Sequence, residues 1–295
     1  MRFKARFTRE QGQLLHQIMS SLEKIAKGAV IHISRKALRI MVVTDALNVD
    51  APFGLAEFEC DEIFEDLRIE SANDNAILLK IEQLGLLTWA MASVKQATGL
   101  SQLKLVKRGD CPCLCFETKP GDMNDGAAVK VQHDIPIRVL HVLELKEYMP
   151  PATPPPDVCL ELPRSRIFRS VVEKSNKFGR QMIVHGKQAG SLALHVEDGM
   201  IAVQTYLSPL EPVALSGPTD SNDHLEMEEQ MDEAREARVK VDTRKLSQVL
   251  NLQSVPWEHA LVYLVHNAAL SLQVNMDSGA VVRFHIPVIS LDDVE

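Results

Sequence analysis

"VQHDIPIRV", from Val131 to Val139, returns near the end of the chain as "VRFHIPVIS", from Val282 to Ser290. Both place His, then Ile-Pro, behind a run of β-branched residues, about half a chain apart. "AVIHIS" (Ala29 to Ser34) and "QMIVHG" (Gln181 to Gly186) echo each other at nearly the same offset. Self-similarity at a fixed distance marks a duplicated unit. A chain of 295 residues is long enough for two domains of ordinary size.

Working outward from the echo, each half reads in one order. The first begins with an alternating strand, Arg2 to Phe7. A helix follows from Thr8 to about Lys27, with Leu14, Leu15, Ile18, Met19, Leu22, Ile25 and Ala26 at helical period. Thr8 and Gln11 form a capping box. Strands, a second helix over 82–98 and three more strands ending at 129–135 complete this half. The second half offers a strand from Val158, a helix over 163–178 on a stripe of Ile167, Phe168, Val171, Val172 and Ser175, four strands, a short helix from Thr243 to about Gln253, and three closing strands. The fold class is α+β: two similar domains, 1–139 and 158–295, each with two helices packed on antiparallel sheets. The join, 140–157, contains "LKEYMPPATPPPDV"; its prolines predict an extended connector. The segment 219–236, "TDSNDHLEMEEQMDEARE", has the composition of a disordered loop.

That acidic segment also settles how the charge is distributed. The chain carries −8, but this stretch holds eight acids and one arginine, so the rest is close to neutral. By formal charge the four helices sum to +1, 0, +4 and +2, which leaves the strands and loops acidic. Lys24, Lys27, Arg166, Arg169, Lys174, Lys177, Arg244 and Lys245 lie opposite or beside the apolar stripes, with Gln13, His16, Gln17 and Ser20 between them. Faces of Lys, Arg and Gln with few aromatics suit sequence-independent contact with duplex phosphates rather than stacking on single strands. The plainer reading of any one such face is an ordinary solvated helix surface. The neutral helix over 82–98 contributes nothing here, and its Trp89 stands well off the apolar stripe.

Other chemistries find less support. "CPCLC" puts Cys111, Cys113 and Cys115 on one face of a strand, without the paired knuckles of a zinc site. His32, His133, His185 and His285 sit in or beside strands, without a nucleophile elbow. No phosphate loop or dinucleotide fingerprint occurs. No metal, cofactor or catalytic residue is therefore expected. The alternative reading is a β-rich hydrolase or a zinc-binding scaffold built on the strand His and Cys residues. The N-terminal stretch lacks the apolar run of a signal peptide, and the uncharged run Leu84 to Val94 is too short to span a bilayer, so no membrane partner is expected. Five cysteines, an odd number, fit reduced thiols in the cytosol or nucleus.

Several stretches together resemble a known family. "MRFKARF", "HDIPIRV", "PDVCLELP", "SVVEK", "VKVDTRKLSQVL" and "FHIPVI" run nearly the length of the chain in order. They resemble the Hus-one family of checkpoint-clamp subunits, part of the nine-one-one complex, within the sliding clamps typified by proliferating-cell nuclear antigen. The acidic segment matches least. The resemblance implies a DNA-clamp fold and a non-catalytic subunit of a heterotrimeric ring that encircles duplex DNA at damage sites in the nucleus. Its implied partners are two further clamp subunits, of Rad-nine and Rad-one type, an ATP-driven clamp loader and repair enzymes. The helices would line the hole. Edge strands bearing Val129, Val131, His133 and Ile135, and Ile201, Val203 and Thr205, would meet neighbouring subunits. The connector, with Leu140, Leu143 and Tyr148, and Leu47 nearby, would take partner proteins. In both echoes the proline, which cannot donate a ladder hydrogen bond, should mark where pairing stops.

Overall fold

The computed structural model describes residues 1–43, 51–119, 130–150, 152–163, 167–199, 201–215, 234–250 and 257–291. The chain divides into two compact units. One comprises Met1–Val49, Phe53–Pro150 and Asp277–Val281; the other comprises Asp50–Pro52, Pro151–Met276 and Val282–Glu295.

The first unit runs β1 (Arg2–Phe7), α1 (Arg9–Glu23), β2 (Gly28–Ile33), β3 (Ala37–Val43), β4 (Phe53–Glu59), α2 (Cys60–Ile63), β5 (Asp66–Glu70), β6 (Ile77–Ile81), α3 (Leu84–Met91), β7 (Ser101–Arg108), β8 (Cys111–Thr118), β9 (Val131–Pro136) and β10 (Arg138–Leu140). The second runs β11 (Val158–Glu161), α4 (Ile167–Ser175), β12 (Gln181–Lys187), β13 (Ser191–Asp198), β14 (Ile201–Leu207), β15 (Glu211–Pro212), β16 (Glu236–Asp242), α5 (Thr243–Val249), β17 (His259–Val265), β18 (Ala269–Asn275), β19 (Val281–Ile286) and β20 (Val288–Ile289). Within the first unit the strands order as β5-β1-β7-β8-β9 and β10-β6-β2-β3-β4. Within the second they order as β15-β11-β17-β18-β19 and β20-β16-β12-β13-β14. Two sheet orders are thus each used twice, shifted by ten strands, as a duplicated unit requires.

Alternation drives the sheets. Phe3, Ala5 and Phe7 of β1 are buried while Arg2, Lys4 and Arg6 face out, and Val282, Phe284 and Ile286 bury one face of β19. The helices close each core. In the first unit Leu15 and Met19 of α1 and Leu87 and Met91 of α3 meet Ile31 and Ile40 of one sheet and Leu103 and Leu114 of the other, around a void of about 20 Å³. In the second, Phe168 of α4 and Val249 of α5 meet Ala260, Leu272 and Phe284 around about 30 Å³.

The echoed prolines occupy matching places. Pro136 ends β9, where it lies opposite Cys113 of β8, and the chain then crosses into β10, which pairs with β6. Pro287 separates β19 from β20, which pairs with β16. In each unit the strand leaves one sheet and enters the other at a residue without an N–H.

Several boundaries differ from those read off periodicity. α1 stops at Glu23, and its last turn tightens as Ile25 donates its N–H to Leu22 O at 3.0 Å, an i→i−3 bond. The helix expected over 82–98 is split into α3 and a 3-10 turn, Ala92–Gln96. In α4 the buried residues are Phe168, Val172 and Ser175, and Ile167 is 60% exposed. It sits about 100° round the helix from Phe168, outside the stripe. The connector is not extended throughout, because Val142–Tyr148 forms a 3-10 helix. Most of the acidic segment lies outside the described residues, but its last residue, Glu236, opens β16 opposite Lys187. Elements such as α2, β10, β15 and β20 are too short to show a period in sequence.

Candidate DNA-facing, subunit-facing and partner-facing surfaces

Local chemistry positions each basic helix. Thr8 caps α1 reciprocally: Gln11 N donates to Thr8 Oγ1 (3.3 Å) and Thr8 N to Gln11 Oε1 (2.8 Å). Its far end presents exposed Lys24 and Lys27, where cations complement the C-terminal carbonyls. Asp242 caps α5 by accepting from Arg244 N (2.8 Å) and Lys245 N (3.2 Å), which fixes the first turn that carries both residues. Arg244 is exposed and Lys245 half-buried. Lys174 on α4 and Lys177 in the turn after it are exposed, whereas Arg169 is held to Glu173 at 2.6 Å across one helical turn. Arg166 lies outside the described residues.

Lys24, Lys27, Lys174, Lys177, Arg244 and Lys245 thus form no ion pair with any described residue. Arg169 is partly neutralised. Within the second unit α4 packs on α5, so Lys174, Arg244 and Lys245 share one helix pair. The polar face of α1 is less open than a helical wheel suggests. Gln13, His16, Gln17 and Ser20 are half-buried as α1 packs against α3 and its 3-10 turn. Burial, then Lys95, pushes the His16 pKa below its ordinary value, and its buried Nδ1 has no partner.

Two of the strands expected at subunit contacts end their sheets: β9 and β14 are terminal in order. Val129 lies outside the described residues. Val131, His133 and Ile135 face the same side as buried Phe116 and Leu114 of β8, and Ile135 is itself only 3% exposed. Ile201 is 52% exposed, and Val203 and Thr205 are half-buried opposite Val196 and Leu194. Trp89, set aside on sequence grounds, stands 70% exposed beside β9, with its ring 5.0 Å from that of His133. The signal was present in sequence: a Trp off the apolar stripe of a neutral helix is an exposed aromatic.

The connector covers an apolar face. Val30, Met41, Leu55, Leu78 and Leu140 form a buried cluster on the outer side of β10-β6-β2-β3-β4, and Phe53, Val142, Leu145 and Tyr148 pack over it. A 3-10 helix has three residues per turn, so Val142, Leu145 and Tyr148 fall on one face. His141 caps it: Leu143 N donates to His141 Nδ1 (3.3 Å) and His141 N to Glu144 Oε1 (2.8 Å). Leu140 is therefore a core residue, and Tyr148 is half-buried as part of the cover. Leu143, 75% exposed, points away from the cluster. Leu47 lies outside the described residues.

The residues of the alternative readings are arranged otherwise. Among the described residues no group of three or more His, Cys, Asp or Glu could hold a metal. Cys111 is exposed, while burial raises the Cys113 thiol and pushes Cys115 up to about 12, keeping both protonated near neutrality. Ser271 Oγ and His285 Nδ1 lie 2.8 Å apart across β18 and β19. Burial, then the Arg283 guanidinium, lowers the His285 pKa, opposing the imidazolium that acyl transfer builds. Buried His32 has an unpartnered Nδ1, and burial likewise lowers its pKa.

Two like units, each of two five-stranded antiparallel sheets closed by a helix pair, define a sliding-clamp fold. The solved structure of the proliferating cellular nuclear antigen of Entamoeba histolytica has that fold, with a TM-score of 0.70 over 97% of this chain and 98% of that one at 13% identity. The chain belongs to the Hus1-like protein family, whose model it matches over residues 1–290. It is 27% identical to the human "Checkpoint protein HUS1" over 277 residues, 93% of this chain and 94% of that protein. It is 26% identical to "Checkpoint protein hus1" of Schizosaccharomyces pombe over 275 residues, 90% of this chain and 93% of that protein.

Proposed function

We propose that the chain is a non-catalytic subunit of a heterotrimeric, ring-shaped DNA sliding clamp, which encircles duplex DNA at damage sites in the nucleus and supports checkpoint signalling and repair. The observation that carries this reading is the family match over nearly the whole chain, to relatives named as checkpoint proteins. The helix cations support it. Lys24, Lys27, Lys174, Lys177, Arg244 and Lys245 keep their charge uncompensated by described carboxylates, as binding to phosphates demands. Arg169 joins that surface by exchanging Glu173 for phosphate, and Arg166, outside the described residues, is assigned the same role. These side chains read no base edge, so the clamp binds duplex without regard to sequence.

The open edges β9 and β14 meet the two other subunits, of Rad-nine and Rad-one type, and an ATP-driven loader closes the ring. Repair enzymes dock at the connector through Leu143. The test is to assemble the ring with both other subunits, load it on nicked circular DNA and compare a Lys174→Glu, Lys177→Glu, Arg244→Glu variant. Retention should fall, and the slope of log affinity against log salt should flatten by about 0.9 for each phosphate that is no longer neutralised. Retention equal to the parent at low salt would sink the DNA-facing assignment.

A further inference from the structure

The strands and loops are acidic in sum, yet the outer face of the sheet β5-β1-β7-β8-β9 is basic along its second strand. Every outward residue of β1 is a base: Arg2, Lys4 and Arg6. Lys4 lies opposite Arg68 of β5 on one side and Lys104 of β7 on the other, so three cations follow one another across three strands. Like charges set directly opposite cost stability, and an anion brought from outside recovers that cost. The acids nearby do little to relieve it. Arg2 meets Glu70 at 3.7 Å, and Asp66, opposite Arg6, lies 3.6 Å from Arg68. Glu117 is held by Lys104, by Lys130 at 2.9 Å and by the Gln102 amide at 3.1 Å, so one carboxylate fixes two ammonium groups. Lys4, Arg6 and Lys119 form no ion pair with any described residue.

Beside this face a cavity of about 640 Å³ opens, within the range of ligand sites. Arg6, Lys119 and Lys130 line it together with Gln102, Glu117 and Leu100. No aromatic side chain lines it, so it offers a nucleobase nothing to stack on. Beyond Lys104 the cationic row gives way to Cys115 and Asp134, so it makes no continuous track for a nucleic-acid backbone. A bare phosphate ion fills little of such a volume, whereas a phosphate on a side-chain stem reaches the cations and leaves its chain on the surface.

We propose that this cavity takes the phosphate of a phosphorylated serine or threonine in an acidic segment of a partner protein. Arg6 offers its guanidinium fork to two phosphate oxygens, and Lys119 and Lys130 meet the remaining charge. Glu117 is a positioning residue, which holds Lys104 and Lys130 in place. Acidic residues next to the phosphate run over Lys4 and Arg68. Neighbouring strands are about 4.8 Å apart and an extended chain advances about 3.4 Å per residue, so about three residues cover the row from Lys104 to Arg68. The site uses the face of the sheet rather than its edge or the connector.

The full chain is titrated with a short fluorescein-labelled peptide of Asp and Glu around one phosphoserine, with binding read by fluorescence anisotropy at low ionic strength. The same peptide with unmodified serine should bind about 10-fold more weakly. Arg6→Gln and Lys119→Gln should each lower phosphopeptide affinity by about 10-fold and affect the unmodified peptide less, with unfolding midpoints within about 3 °C of the parent. Arg6→Lys should restore part of the loss, because an ammonium keeps the charge without the fork. No binding, or equal affinity for the two peptides, overturns the proposal. So do variants that hold the phosphopeptide as the parent does. Oligothymidylate whose affinity falls in Arg6→Gln and Lys119→Gln while that of the phosphopeptide holds would give the cavity to a nucleic acid instead. Inorganic phosphate that binds as tightly as the phosphopeptide would overturn the partner segment and leave a free anion as the ligand.

Discussion

The outer faces of two equivalent sheets have opposite characters. In the first unit, Lys80, Val30, Met41 and Leu55 follow one another across β6, β2, β3 and β4. In the second, Lys240, Ile183, His195 and Gln204 take the matching row across β16, β12, β13 and β14. The first row is largely apolar and roofed by the connector. The second ends in His195, which pairs with Glu197 at 3.4 Å, and exposed Gln204. The inner faces of both sheets remain apolar. Duplication preserves what the core demands, because side chains alternate with period two and only one set must be buried. The other set is free to serve whatever covers it, and a covered face becomes a second small core.

The sharpest way to break that comparison is to place a carboxylate on each face. Met41→Asp buries an unpaired charge at a fully buried position and should cost about 3–5 kcal/mol. Gln204→Asp, at an exposed position of the second row, should stay within about 0.5 kcal/mol. Denaturant unfolding of each variant reads the difference, and equal costs would mean that the connector does not seal the first face. Next in size, Leu145→Ala strips part of the roof and should cost about 1–2 kcal/mol, below the value for a fully buried leucine. Leu143→Ala, on the exposed side, should change stability by less than about 0.5 kcal/mol. Faster proteolysis within the connector of the Leu145 variant, but not of the Leu143 variant, would sharpen the point.

The smallest effect is in pH dependence. Burial lowers the pKa of His32 in one unit and His285 in the other from 6.5. The unfolded state then binds more protons, so stability is full above about 6.5 and declines as pH falls below it. A modest fall in the unfolding midpoint between pH 7.5 and 5.5 should shrink in His32→Gln and His285→Gln, each by its own share. At lower pH, Glu117 adds to the loss. Burial would raise its pKa, but hydrogen bonds from Lys104 and Lys130 hold it below 4.5, so its contribution vanishes as pH falls through that lowered value.

The duplication, the helix pairs and most strands were legible in the residues, because long alternating or 3.6-periodic runs report their own buried face. The Thr8 capping box was legible for the same local reason, and the strand Arg2 to Phe7 has the bounds its alternation suggests. The candidate surfaces were less so. Arg169 reads as an open cation but is held by Glu173, and His16 reads as solvated but is half-buried near Lys95 of the 3-10 turn. Leu140, read as a contact for a partner, is buried in the chain's own packing, and Tyr148 is partly covered there. Trp89, set aside with its neutral helix, stands exposed beside His133.

By itself, the sequence determined the two-copy plan, the inward half of the long alternating strands and the charge that the helices carry. These are properties of spacing and composition. Tertiary structure alone decided which outward residues are truly outward. The connector's 3-10 helix folds three apolar side chains back onto β10-β6-β2-β3-β4, and the stacked rings of Phe7, Phe116 and His133 lead out to exposed Trp89. Both depend on segments distant in the chain meeting in space, and no local period records such a meeting.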